Sequence, residues 1–143
     1  MRQRSLFVVI GLVAGGGLVA ACSDSTEPPH EDHTPVRFDV TVNGVAVTDD
    51  TLRLSATVGV DTVRFTFFNA ADENLDDHEA DHFSLLTFTP AAGIAATVDP
   101  DHYFRHAVEV TAAVGTAGDV AVGYGHDAAA DEYSFPTHFL VVP

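Results

Sequence analysis

The sequence predicts an all-β protein, a sandwich of seven to eight short antiparallel strands. Apolar and polar residues alternate with a period of two along much of the chain from residue 36 onward. Turn residues recur about every ten positions between these alternating segments, a spacing typical of sandwiches. No segment has a helical apolar period lasting more than two turns. About 108 residues suit a single domain with its own core, and we place that domain at residues 36–143.

The first strand is predicted in "VRFDVTVNG", where Val36, Phe38, Val40 and Val42 alternate with polar residues. It ends at Asn43-Gly44, a dipeptide that favours a tight hairpin turn, and "VAVT" follows as a short return strand. The other candidate segments, in order, are "TLRLSATVG", "DTVRFTFFNA", "FSLLTFTP", "IAATVDP", "HAVEVTAAV", "DVAVGYGH" and "YSFPTHFLVV". From these nine candidate segments we predict seven or eight strands.

Residues 1–21 are typical of a signal peptide. Arg2 and Arg4 precede an apolar run from Leu6 to Ala21, too short for a membrane-spanning helix. The run ends in "VAAC", which resembles the bacterial lipobox and implies cleavage before Cys22 and lipid attachment to that residue. The alternative is an ordinary secretory signal with a chance cysteine. Cys22 is the only cysteine, so the chain cannot form an internal disulfide.

Residues 22–35 are predicted to be a lipidated cysteine followed by a disordered tether, because "SDSTEPPHEDHTP" is polar and contains proline but no aliphatic residue. We expect an extracytoplasmic protein anchored to a bacterial membrane, at the outer membrane or cell surface. His30 and His33 fall in this tether, where they would lack preorganisation as metal ligands.

The mature chain is strongly acidic. Without the signal peptide, four arginines and no lysine remain against 21 acidic residues, a net charge of −17. Such a surface repels phosphate backbones, which excludes nucleic acid as an expected partner. It favours cations, either metals or basic partners, although a solvated acidic exterior explains the charge equally well.

Four segments carry a family resemblance: "LRLSATVG", "VRFTFFNAADENL", "ATVDP" and "VGTAGDVAVGYG". Their order resembles that of bacterial Ig-like domains on cell-surface proteins, which implies an Ig-like sandwich acting as a structural or binding module. The tryptophan and the cysteine pair of antibody domains are absent. The resemblance implies no catalysis, and we do not expect an enzyme.

"HEADH", residues 78–82, matches the H-E-x-x-H pattern of zinc proteases. That pattern requires a helix, yet predicted strands flank this stretch on both sides. Asp81 also breaks the family pattern, and no helix with a third ligand follows. A metal-dependent hydrolase is therefore only a remote alternative.

Metal binding without catalysis is a separate hypothesis. His78 and His82 lie in a loop rich in carboxylates, among them Asp81, and His126 lies at the predicted final hairpin. Two imidazoles with carboxylates suit Zn²⁺ or Cu²⁺, and His126 completes the site if the two loops meet at one end of the sandwich. The alternative is that these histidines are incidental and the domain binds a protein or a surface polymer.

Three further histidines are not expected to be ligands. His102 and His106 are four residues apart, next to a turn at Pro100-Asp101, and are interpreted as a strand-edge pair. His138 alternates with Leu140 and Val142 and is interpreted as a packed or edge histidine. No G-x-S-x-G motif or glycine-rich phosphate loop is present.

Overall fold

The structure, a computed structural model, describes residues 33–75 and 82–143. Within these ranges no helix is long and apolar enough to cross a membrane. The described chain forms nine strands: β1 Arg37–Val42, β2 Val45–Ala46, β3 Thr51–Ser55, β4 Val60–Phe68, β5 Phe83–Thr89, β6 Ile94–Asp99, β7 His102–Val110, β8 Ala117–Gly125 and β9 Tyr133–Val142. The predicted all-β class is confirmed.

The strands form two sheets, which we call sheet A and sheet B. Sheet A has the order β2-β1-β4-β7-β6, and sheet B has the order β3-β9-β8-β5. The orders β1-β4-β7-β6 and β9-β8-β5 are those of strands A-B-E-D and G-F-C in an immunoglobulin sandwich. The connectivity therefore agrees with the Ig-like sandwich that the sequence predicts.

Two details differ from the prediction of seven to eight antiparallel strands. The described residues form nine strands, because every candidate segment forms one, including the short β2, which closes a hairpin with β1 through Asn43 and Gly44, both at positive φ. In addition, β3 pairs in parallel with β9, from Thr51 opposite His138 to Ser55 opposite Val142. The loop before β3 carries the chain from sheet A to the edge of sheet B, where the backbone oxygen of Asp50 accepts the N–H of His138 at 2.8 Å.

The core lies between the inward faces of the two sheets. Phe67 of β4 packs edge-on against Phe104 of β7 with ring centroids 4.8 Å apart, and its ring is tilted against that of Tyr124 of β8 across the sandwich at 5.1 Å. Aromatic pairs at these separations add stabilisation beyond the burial of their area. Val36 and Val58, which continue the predicted alternation, lie just outside the strands and are 53% and 61% exposed.

The end of the sandwich at which β4 begins is closed by a buried carboxylate. Asp61 accepts the side-chain N–H of Asn43 and the backbone N–H of Ser55, both at 2.6 Å. Asn43 in turn accepts the N–H of Thr62 at 2.8 Å. Because a buried carboxylate requires such donors, this network joins the β1–β2 turn and the end of β3 to β4. The opposite end, where β5 begins and β8 ends, carries His82 and His126.

Candidate metal centre

Strand pairing places His82 next to His126. Sheet B pairs β5 and β8 antiparallel, with Phe83 opposite Gly125, so the next residues outward in register are His82 and His126. Their ring centroids are 5.5 Å apart. Alternate residues of a strand point to the same face, and the alternate neighbours Ser84 and Tyr124 are buried. The two imidazoles therefore lie on the same face of sheet B as Ser84 and Tyr124, at the end of the core.

A third imidazole comes from the segment that leads into β1. His33 stands four residues before Arg37, and this segment is attached to the sandwich because Pro35 is buried and the N–H of Val36 donates to the oxygen of Phe68 at 2.8 Å. The ring centroid of His33 is 4.6 Å from that of His82 and 6.2 Å from that of His126.

The ring nitrogens of these residues converge. The Nδ1 atom of His33 lies 2.5 Å from the Nε2 atom of His82, which is within hydrogen-bonding distance, so one nitrogen carries the shared hydrogen and the other the lone pair. One ligand nitrogen from each of His33, His82 and His126 lies within 4.8 Å of the other two. We call these three residues the histidine cluster.

The dimensions of the histidine cluster can be compared with those of a zinc site. Two nitrogens bound to one Zn²⁺ at about 2.0–2.1 Å and a tetrahedral angle lie about 3.3 Å apart. That value falls between the shortest separation in the cluster and its 4.8 Å limit. A cation replacing the shared hydrogen would push the His33 and His82 nitrogens slightly apart, and the three nitrogens are close enough to form a three-nitrogen cation site.

His126 is held by two hydrogen bonds to the carboxylate of Glu132. Its Nδ1 lies 2.7 Å from Oε2 of Glu132, and its backbone N–H donates to Oε1 of the same carboxylate at 3.3 Å. The side-chain bond to His126, followed by the backbone bond, lowers the pKa of Glu132 below its usual value. With Nδ1 engaged in this way, Nε2 is the nitrogen that His126 would present to a cation.

The sequence-predicted ligands divide into two groups. His82 and His126 lie together in the histidine cluster, whereas His78 and Asp81 lie outside the described residues, as does Cys22. The candidate ligand that the sequence analysis missed is His33, which was assigned to the tether and instead lies against His82. Over residues 33–75 and 82–143, these three histidines are the one group of metal-binding side chains found within ligand distance.

The interpretation of His106 as a strand-edge residue is wrong. It lies in β7 between β4 and β6, is buried, and packs edge-on against Phe65 at 6.0 Å. Its inward direction follows from its alternation with Val108 and Val110. His138 lies on the outer face of β9, exposed, with its Nδ1 2.9 Å from Oδ1 of Asp119.

His106 and Ser84 form a buried pair without the geometry of a nucleophile and base. The hydroxyl of Ser84 donates its only hydrogen to the oxygen of Tyr103 at 2.7 Å. The Nε2 atom of His106, 2.8 Å from the same hydroxyl oxygen, must therefore be the donor of that bond. A general base would have to accept the hydroxyl hydrogen instead, so the pair serves the core.

The chain matches no protein-family model, no curated protein and no solved structure in the three comparisons. Nothing in these comparisons points to enzymatic activity. The chemistry available at the histidine cluster is that of a nitrogen-donor cation site.

Proposed function

We propose that this protein is a lipid-anchored module of the bacterial cell envelope that binds a divalent transition metal, Zn²⁺ or Cu²⁺, through His33, His82 and His126. The membrane anchor follows from the lipobox-like sequence that ends at Cys22. The observation that supports the metal site is the convergence of three ring nitrogens from three separate chain segments.

The ligand chemistry favours transition metals over Ca²⁺ and Mg²⁺. Imidazole suits Zn²⁺ and Cu²⁺, whereas Ca²⁺ and Mg²⁺ take oxygen ligands. Three protein ligands leave a further coordination position for water or another ligand. The net charge of −17 on the mature chain raises the local concentration of cations around the domain.

Titration calorimetry tests the proposal directly. The full-length chain carrying Cys22→Ser, which removes a competing thiol, is purified in detergent and titrated with Zn²⁺, Cu²⁺ and Ca²⁺ at pH 7 and at about pH 5. We expect micromolar or tighter binding of Zn²⁺ or Cu²⁺ at pH 7 and no comparable Ca²⁺ binding. Binding should weaken sharply at about pH 5, because ligation requires neutral imidazole.

Two single-histidine variants make a matched pair for this experiment. Both His126 and His138 are exposed and paired with a carboxylate, but only His126 belongs to the histidine cluster. We expect His126→Ala to weaken zinc binding by more than the roughly 10- to 100-fold that loss of an outer-shell partner costs, because the variant removes a ligand itself. His138→Ala should leave binding unchanged.

A flat isotherm for the folded protein at pH 7 would refute the metal proposal and leave the protein- or polymer-binding alternative. Equal losses in His126→Ala and His138→Ala would show diffuse association with the acidic surface instead of a site. His78→Ala tests whether residues 76–81, which lie outside the described residues, supply a further ligand, as their sequence predicts.

A further inference from the structure

The loop between β8 and β9 has a defined turn structure that places Glu132. The Oδ1 atom of Asp127 accepts the N–H of Ala129 at 2.8 Å, and its backbone oxygen accepts the N–H of Ala130 at 3.0 Å. Ala130 has a φ of 45° and is buried although it lies in a loop. A residue other than glycine rarely has a positive φ unless its surroundings hold it there.

Two glycines of β8 provide the surface on which Ala130 rests. A Cβ atom at Gly125 would lie 3.0 Å from the Cα of Ala130, and a Cβ atom at Gly123 would clash directly with the backbone oxygen of Ala130. Only glycine at these two positions lets the turn lie this close to the strand. The turn is therefore held against sheet B two residues before Glu132.

The carboxylate of Glu132 contacts His126 at two atoms, the ring Nδ1 and the backbone N–H. A glutamate side chain is ionised at neutral pH, and an ionised carboxylate can only accept hydrogen bonds. Nδ1 of His126 must then carry its hydrogen, which leaves the lone pair on Nε2.

We infer that Glu132 is a positioning residue of the metal centre, which fixes His126 in the tautomer and orientation that present Nε2 to the cation. This inference depends on the proposed function, since it assigns the control of affinity at the same site. Carboxylates bonded to ligating histidines make the imidazole more basic and hold its ring in place. The turn at Ala130, packed on Gly123 and Gly125, holds Glu132 in position, and we call this turn and the two glycines the remote support of the site.

Glu132→Ala and Glu132→Gln separate the two parts of this role. The alanine variant removes both the acceptor and the charge, and we expect it to weaken zinc affinity about 10- to 100-fold. The glutamine oxygen still accepts the Nδ1 hydrogen but carries no charge, so Glu132→Gln should retain the tautomer and lose less affinity. Zinc titrations of the full-length Cys22→Ser chain give the affinities.

Nitrogen-15 NMR of the imidazoles provides a readout that a merely structural role would not change. Without metal, the His126 ring should carry its hydrogen on Nδ1 in the unchanged protein and in Glu132→Gln. In Glu132→Ala we expect a mixture of tautomers. A single unchanged tautomer in Glu132→Ala would contradict the inference.

Gly123→Ala tests the remote support without altering the site itself. The added Cβ must displace the Ala130 turn, and we expect a loss of zinc affinity similar in direction to that of Glu132→Ala. Gly118→Ala is the matched control, because its Cβ would clash with the oxygen of Thr89 at the other end of the same strand. That variant should bind zinc with unchanged affinity.

These results distinguish failure of the inference from failure of the proposed function. If the unchanged protein does not bind zinc, the proposed function fails. If it binds zinc and Glu132→Ala binds equally well, the metal site stands and the role of Glu132 is refuted. Equal losses in Gly123→Ala and Gly118→Ala would refute the remote support and assign both effects to general destabilisation.

Discussion

Two histidines of this sandwich are equally buried and have different partners. His82 and His106 each keep only 1% of their surface exposed. His106 bonds to a serine hydroxyl and packs on Phe65, whereas His82 contacts two other imidazoles. Burial removes both rings from water. The chemistry of the neighbouring groups makes one a core residue and the other a candidate ligand.

The largest expected effect is the loss of stability that His106 causes in acid. Burial lowers the pKa of His106 to about 4 from its ordinary value of 6.5, so the unfolded chain takes up a proton before the folded protein does. The contribution of the neutral ring to stability is complete above pH 6.5 and declines as the pH falls from 6.5 to 4. Its full size is about 3 kcal/mol of unfolding free energy.

Urea unfolding at a series of pH values measures this effect as a difference between proteins. His106→Gln keeps a side-chain N–H for Ser84 but does not titrate, so its stability should fall by less between pH 6.5 and 4. His138→Gln, on the exposed outer face of β9, is the control for replacing a histidine that is not buried. Parallel pH curves for all three proteins would show that His106 is not held neutral by burial.

Zinc binding is expected to raise the unfolding free energy by a slightly smaller amount. This gain should depend on His82 and not on His106. Ligand binding to the folded state alone stabilises it by about 2.7 kcal/mol at a free concentration 100 times the Kd. We expect this gain for the unchanged protein and for His106→Gln at pH 7, and no gain for His82→Asn, which lacks a cluster ligand. Thermal unfolding with and without zinc provides the measurement, and chelator should reverse the gain. Loss of the zinc effect in His106→Gln would overturn the comparison.

The local sequence was sufficient to predict the strands but not their partners. Alternation and the Asn43-Gly44 turn mark where strands run and which residues face inward. They do not show that β3 leaves sheet A and lies parallel to β9, because pairing depends on contacts between distant segments. Val36 and Val58 continue the alternation and are nevertheless exposed, since an apolar residue beyond the end of a strand has no opposing sheet to cover it.

In the histidine cluster, too, the local sequence predicts candidate residues but not which of them meet. His82 and His126 were predicted as candidates from their acidic, histidine-containing loops, but their contact depends on the pairing of Phe83 with Gly125, which no local pattern specifies. His33 stands in a polar, proline-containing stretch whose composition is that of a linker. Its nearness to Pro35 and the first strand was the available signal that it could reach the sandwich.

The smallest expected effect comes from the partner of His106. Ser84→Ala removes the hydroxyl that accepts from His106 and donates to the oxygen of Tyr103. Loss of one partner in a buried hydrogen bond costs about 1–2 kcal/mol of unfolding free energy. The control Ser134→Ala, at an exposed position of β9, should cost almost nothing.

Ser84 lies two residues from His82 on the same face of the chain, so the zinc stabilisation of Ser84→Ala is the informative result. We expect it to be retained, because the histidine cluster receives its ligands from three segments and not from the Ser84–His106 pair. If the zinc effect disappeared with the hydroxyl, the two buried histidines would belong to one coupled network instead of two independent sites.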